Sequence, residues 1–482
     1  MAEADGRRAN AELEAMQAAF AVQHRASRHE LPADLELRRD RLMRLKIMVK
    51  ARAEEFGAAI SSDFGTRAPI ETELMELVPT LSAIDHAHRR LPRWMRPERR
   101  PVGLNFQPGK AFVRYEPLGV IGIISPWNYP LNLALSPLVD AIAAGNRAMI
   151  KPSEFTPVTS ELMKTLLAAA FDTTEVAVIT GGAEAGKAFS ELAFDHLVFT
   201  GGTGIARHVM MAAAKNLVPL TLELGGKSPT IISRSADIGV ATERIAMGKM
   251  MNAGQICLAP DYLLVPAESE GAVVEGLKAA TAKMYPTLLS NPDYTSVLGA
   301  RHRERLEAHV ADAIAKGATV EVVNPANEDF AKQNTNKMPL HIIRNPTNDM
   351  TVMQEEIFGP LLPVRTYAAI DGAIDEINRR DRPLGLYWFG QDAAEQRRVL
   401  DRTISGGVTV NDVVFHVSAE ELPFGGIGNA GMGSYHGHDG FKEFSHAKAI
   451  YTQPKLDLAG LAGFKPPYGD KTRKALAREL KA

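Results

Sequence analysis

From residue 118 onward, short β-branched runs at 118–124, 148–151, 176–179, 196–199 and 220–224 alternate with helix-forming stretches such as 205–215. Parallel strands need long crossovers, usually helical, so this alternation predicts a parallel sheet built from βαβ units with helices on its faces. Ligands of such sheets bind beyond the carboxyl ends of the strands, where this chain concentrates its glycines and polar residues. A second alternating region follows residue 224, with candidate strands at 230–232, 262–265 and 408–410. The expected fold class is α/β, with two doubly wound parallel-sheet domains, and 482 residues are enough for more than one core. Upstream, residues 10–65 read as helices that should cover a sheet: Leu13, Met16 and Phe20 share one face, as do Leu42, Leu45 and Val49.

Charge and cysteine count narrow the function classes. Lys and Arg total 55 against 57 Asp and Glu, a net charge of −2, so the chain lacks the field that gathers nucleic acid or acidic lipid. One cysteine, Cys257, permits no intrachain disulfide. The charged N-terminus has no secretory pattern, so a cytoplasmic location is expected. Residues 117–139 carry no charge and could span a bilayer by length, but four prolines and two asparagines argue for buried protein. Six arginines between Arg89 and Arg100 surround Trp94; Pro92 and Pro97 should break any helix there, leaving a solvated linker rather than a nucleic-acid patch.

Two glycine-rich turns follow strand-like runs. Gly181 and Gly186-Lys187 nearly match a P-loop, but Ala188 replaces the hydroxyl that would hold Mg²⁺, and Glu184 would repel phosphate. A ligand-free strand-to-helix turn and a dinucleotide contact both remain open there. Gly201-Gly202-Thr203-Gly204 opens a helix, where backbone N–H groups can approach a pyrophosphate. Lys151-Pro152-Ser153-Glu154 ends another strand with a cation and a carboxylate, and a carboxylate beside a ribose accepts from its hydroxyls.

Cys257 follows the small-residue approach Asn252-Ala253-Gly254-Gln255-Ile256, which should leave its sulfur accessible. Glu223 ends an apolar strand just before Gly225-Gly226; desolvation there would raise its pKa toward the range of a useful general base. Asn128, in Ser125-Pro126-Trp127-Asn128-Tyr129-Pro130, is held rigidly enough to donate to an oxyanion.

The motifs PWNYP, KPSE, FTGGT, LELGGKSP, GQIC, EEIFGP and PFGGIGNAGMGSYHG occur in that order, and with them the chain resembles the aldehyde dehydrogenase superfamily. Within it, the chain is most similar to the class 3 branch and its coniferyl aldehyde dehydrogenases. The resemblance implies a nicotinamide-binding domain of residues 1–95 and 119–222 and a catalytic domain of 223–420. It also implies a small β oligomerisation arm of 96–118 and 440–460, a tail of 461–482, and a homodimer. It assigns Cys257 as nucleophile, Glu223 as general base and Asn128 to the oxyanion site. Lys151 and Glu154 would hold the adenosine ribose beside Ser153, and Glu356 and Phe358 the nicotinamide riboside. Ser125, Trp127 and Leu224 would line the cofactor path, with Gly182, Gly186, Thr200, Gly201 and Gly202 near its phosphates. Gly202 lacks a hydroxyl often found there, and Ala206 replaces a frequent glycine.

The implied reaction is oxidation of an aldehyde to the acid through a thioester, with NAD as cofactor and NADP as a second possibility; the aldehyde is aromatic, cinnamyl-type or medium-chain aliphatic. Rival readings are a CoA-acylating relative, a P-loop-like NTPase and a non-catalytic protein of the same fold. His436 and His438 have metal-ligand spacing and His86 and His88 add imidazoles, but no metal is expected. Tyr129, Tyr387 and Phe415 are candidates for an apolar substrate tunnel or for plain core, and 471–482 reads as a short basic helix.

Overall fold

A computed structural model describes residues 2–103 and 106–481; residues 1, 104, 105 and 482, within the expected domain spans, lie outside the described residues. The N-terminal region forms helices Ala2–His29, Leu35–Ala51 and Ala53–Phe64. Asp34 caps the second by accepting from Leu37 N at 2.9 Å. Met16, Leu42, Leu45 and Val49 are buried, and Gln23 of the first helix donates to the Ala148 carbonyl at 3.0 Å, fastening it to a sheet.

The expected break at Pro92 does not occur. Helix Val78–Trp94 passes through it, because the proline sits in the last turn, where its missing N–H and ring cost one hydrogen bond near solvent. Trp94 then packs on His438 and Phe441, each at 5.7 Å between centroids. The six arginines are exposed, but they belong to this helix, its end and strand β1 rather than to a linker.

Strands β1 (Glu98–Arg100), β2 (Lys110–Pro117) and, late in the chain, β16 (Ser445–Thr452) make a small antiparallel sheet ordered β1-β2-β16. Between them, β3 (Val120–Ile124), β4 (Arg147–Lys151), β5 (Val176–Val178), β6 (His196–Gly201) and β7 (Leu220–Leu224) pair in parallel, in the order β7-β6-β3-β4-β5. The other parallel sheet contains β8 (Pro229–Ile232), β9 (Tyr262–Pro266), β10 (Thr319–Val323), β11 (Leu340–Arg344), β12 (Leu361–Tyr367), β13 (Gly385–Phe389) and β14 (Gly407–Val410). Its order is β10-β11-β12-β9-β8-β13-β14.

Both large sheets depart from the all-parallel expectation at an edge: β10 runs antiparallel to β11, and β15 (Gly431–Met432) runs antiparallel to β7. The second pairing brings the glycine-rich stretch after residue 423 back onto the first sheet, opposite Glu223. Residues 117–139 are folded as the end of β2, strand β3, a turn and the buried helix Asn132–Ala144. No helix among the described residues is long and apolar enough to cross a membrane. The tail contains helix Asp470–Glu479.

Candidate active site

β7 ends in Glu223-Leu224, and Gly225-Gly226 carries the chain toward β8 in the other sheet. Gly225 is required by a close approach: a Cβ there would lie 2.1 Å from the Glu356 carboxyl. Cys257 comes from the far side of the junction, after helix Ile238–Met250. Its approach is strained, with Asn252, Ala253 and Gly254 successively in the left-handed region at φ 50°, 52° and 76°. A Cβ on Gly254 would lie 2.5 Å from the Gly359 carbonyl, so the cysteine's turn and the Glu356 loop touch backbone to backbone.

Hydrogen bonds hold that turn. Gln255 donates to the Asn252 and Ser296 carbonyls at 2.9 and 3.1 Å and accepts from Leu298 N at 2.8 Å. Glu71 accepts from Asn252 N and from the Thr295 hydroxyl, the latter at 2.5 Å. Tyr387 donates to the Leu258 carbonyl at 2.6 Å, fixing the residue after the cysteine.

Asn128 donates through Nδ2 to the Gln255 carbonyl at 3.1 Å, leaving its second N–H free. Its carbonyl accepts from Asn252 Nδ2 and Arg67 Nη1, both at 3.1 Å. Arg67 and Glu76 form a fully buried ion pair at 2.8 Å, and Glu76 accepts from Leu131 N and Asn132 N at 2.7 and 3.1 Å. The prolines around Asn128 are therefore only part of its rigidity. Arg67 and Glu76 carry no motif, and nothing in the sequence links them to a loop some sixty residues away.

Cys257, Glu223, Asn128, Thr200, Glu356 and Phe358 line one cavity of about 260 Å³. Both Glu223 oxygens are buried without a hydrogen-bond partner. Burial, then the neighbouring Glu356, push its pKa up to about 8; burial, then Asp261, do the same for Glu356. Burial, Glu223 and Glu356 likewise push the Cys257 thiol well up, against the backbone N–H groups of Cys257 and Leu258, which favour the thiolate. Cys257 is half-buried rather than open. Tyr129, Tyr387 and Phe415 do not line this cavity: the tyrosines are core and Phe415 is exposed on the surface.

A cleft of about 1080 Å³ adjoins the cavity and shares Trp127, Thr200, Gly201, Gly202, His302 and Arg305 with it. Ser125, Lys151, Ser153, Glu154, Gly182 and Gly186 line the cleft, whereas Leu224 lines only the cavity. Lys151 Nζ is 3.7 Å from the Glu154 carboxylate. Gly182 and Gly202 cap helices Ala183–Ser190 and Thr203–Ala214, and open space faces both where a Cβ would project. His302, unmarked by any motif, packs on Trp127 at 4.8 Å, and its Nε2 is buried without a partner. Phe358, at φ 49°, meets the same tryptophan edge-on at 5.3 Å. Among the described residues no group of three or more His, Cys, Asp or Glu could hold a metal ion.

The aldehyde dehydrogenase family model matches residues 2–450. A probable coniferyl aldehyde dehydrogenase of Caulobacter vibrioides is 54% identical over 453 residues, 93% of each chain. The coniferyl aldehyde dehydrogenase of a Pseudomonas strain is 49% identical over 439 residues, 91% of each. The solved substrate-bound state of Staphylococcus aureus AldH matches with a TM-score of 0.89 at 34% identity, over 97% of this chain and 99% of that one. A thiol and an unpartnered carboxyl facing one cavity at the junction of two parallel sheets thus accompany a match along nearly the whole chain, and the chain belongs to the aldehyde dehydrogenase family.

Proposed function

We propose that the enzyme oxidises an aromatic, cinnamyl-type aldehyde such as coniferyl aldehyde to its acid, with NAD⁺ as hydride acceptor and a thioester on Cys257 as intermediate. The observation that carries the reading is the shared cavity of Cys257 and Glu223, whose carboxyl has no other partner to serve. The names of the two bacterial relatives favour the aldehyde class.

The adjoining cleft fits a dinucleotide. Gly182 and Gly202 leave two helix N-termini open to phosphate, Glu154 and Lys151 would flank a ribose, and Ser125 Oγ and Thr200 Oγ1 in the cleft and Glu356 Oε1 in the adjoining cavity are buried without partners. When bound, the cofactor supplies the acceptor for the hydride.

Glu223, neutral at rest, must first lose its proton; it can then take the proton of Cys257, because the surroundings leave the thiol neutral. The sulfur attacks the carbonyl carbon and forms a thiohemiacetal. The negative oxygen faces the free N–H of Asn128 and the Cys257 backbone N–H. Loss of hydride from that carbon leaves the thioester. Once it has passed the thiol proton to solvent, Glu223 deprotonates water, which displaces the sulfur as thiolate and releases the acid. A carboxyl placed to activate water favours hydrolysis over acyl transfer to CoA.

The test is NADH formation by the purified protein against a panel of cinnamyl and aliphatic aldehydes. Turnover with coniferyl aldehyde, abolished in Cys257→Ala, is expected. An absence of NADH with every member of the panel, or undiminished turnover in that variant, would overturn the reading.

A further inference from the structure

We infer that Lys227, Asp261 and Arg305 form a charged clamp whose task is to position Glu356 and Phe358 toward the nicotinamide half of the cofactor, separately from adenosine binding. The inference rests on the cofactor reading above.

The loop from Glu355 to Gly359 has no regular structure, yet buried backbone groups must be paired. Three charged side chains from three different elements do this. Lys227, in the turn between β7 and β8, ion-pairs with Asp261 and donates to the Val352 and Glu355 carbonyls at 2.8 and 2.9 Å. Asp261, just before β9, accepts with its other oxygen from Ile357 N at 2.9 Å. Arg305, on helix Gly299–Ala315, donates to the Glu356 and Ile357 carbonyls at 3.2 and 2.6 Å.

Every contact falls on the main chain beside Glu356, and none on its carboxyl. The carboxyl, packed against Gly225, keeps Oε1 unpartnered and faces the cavity. One residue after the clamped Ile357, Phe358 takes a left-handed conformation that a phenylalanine adopts only when its neighbours impose it. Holding the backbone by Lys227 and Asp261 from outside, with Arg305 at the wall, leaves Oε1 of the carboxyl free to accept from a ligand and sets the ring against Trp127. Lys227 and Asp261 are thus positioning residues; they line neither the cavity nor the cleft.

The experiment compares NADH with ADP, which lacks the nicotinamide riboside. In Lys227→Met, single-turnover hydride transfer should slow by roughly 10²-fold, the cost of a misplacement of about 1 Å. NADH affinity and the KM for NAD⁺ should worsen, while ADP affinity stays within about twofold of wild type. Lys227→Arg should restore part of the rate. Unchanged NADH binding and hydride transfer in Lys227→Met, with Glu356→Gln impaired, would overturn the clamp alone. Unchanged NADH binding and turnover in Glu356→Gln would remove the role of Glu356 itself. If Lys227→Met fails to fold, deuterium exchange in the unaltered enzyme decides: slow exchange at the Ile357 amide supports the clamp, and exchange as fast as in an exposed loop overturns it.

Discussion

Burial favours the protonated forms of both Glu223 and Cys257, Glu356 makes Glu223 harder to ionise, and both carboxyls do the same to the thiol. This has a consequence for stability. The Glu223 carboxyl titrates near 4.5 in the unfolded chain and near 8 in the folded one, so between those values the unfolded chain releases a proton that the folded chain keeps. Its stabilising contribution is fully present below 4.5 and is lost as pH rises toward 8, at up to about 1.4 kcal/mol per pH unit. The Tm of wild type relative to Glu223→Gln should therefore fall across this window, measured by calorimetry; parallel profiles would count against the raised pKa. In the proposed mechanism Asn128 acts on the developing oxyanion rather than on the ground state. Asn128→Ala should lower kcat about 10²–10³-fold, whereas an unchanged kcat with a raised KM would make it a substrate-binding group.

At the scale of the element, the turn that delivers Cys257 is a demanding piece of backbone, with three successive residues in the left-handed region. Gly254→Ala adds left-handed strain of about 1–3 kcal/mol and a clash with the Gly359 carbonyl. It should lower both Tm and the rate of Cys257 alkylation; an alanine variant with wild-type Tm and activity would show that the turn yields easily. The strands carrying Glu223, Lys151 and Thr200 were legible in the sequence, because each is an apolar run ended by a polar or glycine residue. β10, β11, β12 and β13 were not: β12 contains Pro363, and β10 is half-exposed and lies at the sheet edge, so neither shows a clean buried run. Motifs singled out Cys257 and Glu223, which line one cavity, whereas Arg67, Glu76, His302 and the Lys227–Asp261 pair act through tertiary contacts that no local pattern records.

For the whole molecule, the two large sheets divide the chemistry: Glu223 ends a strand of one, and Cys257 lies just before β9 of the other. The small sheet stands apart, with β16 at its edge and most of that strand exposed, which suits pairing with a second copy. Sedimentation should give a dimer, and a monomer at all concentrations would contradict that expectation. In the proposed mechanism Cys257 carries the thioester and Glu223 activates the water that removes it, and Glu223→Gln separates the two steps. Mixed with NAD⁺ and coniferyl aldehyde, this variant should release at most one NADH per Cys257, with little further turnover, and mass spectrometry should find the acyl group on that cysteine. If Glu223 also takes the thiol proton, higher pH should speed the burst without restoring turnover. Sustained wild-type turnover by Glu223→Gln would contradict the account and return the CoA-acylating reaction to consideration.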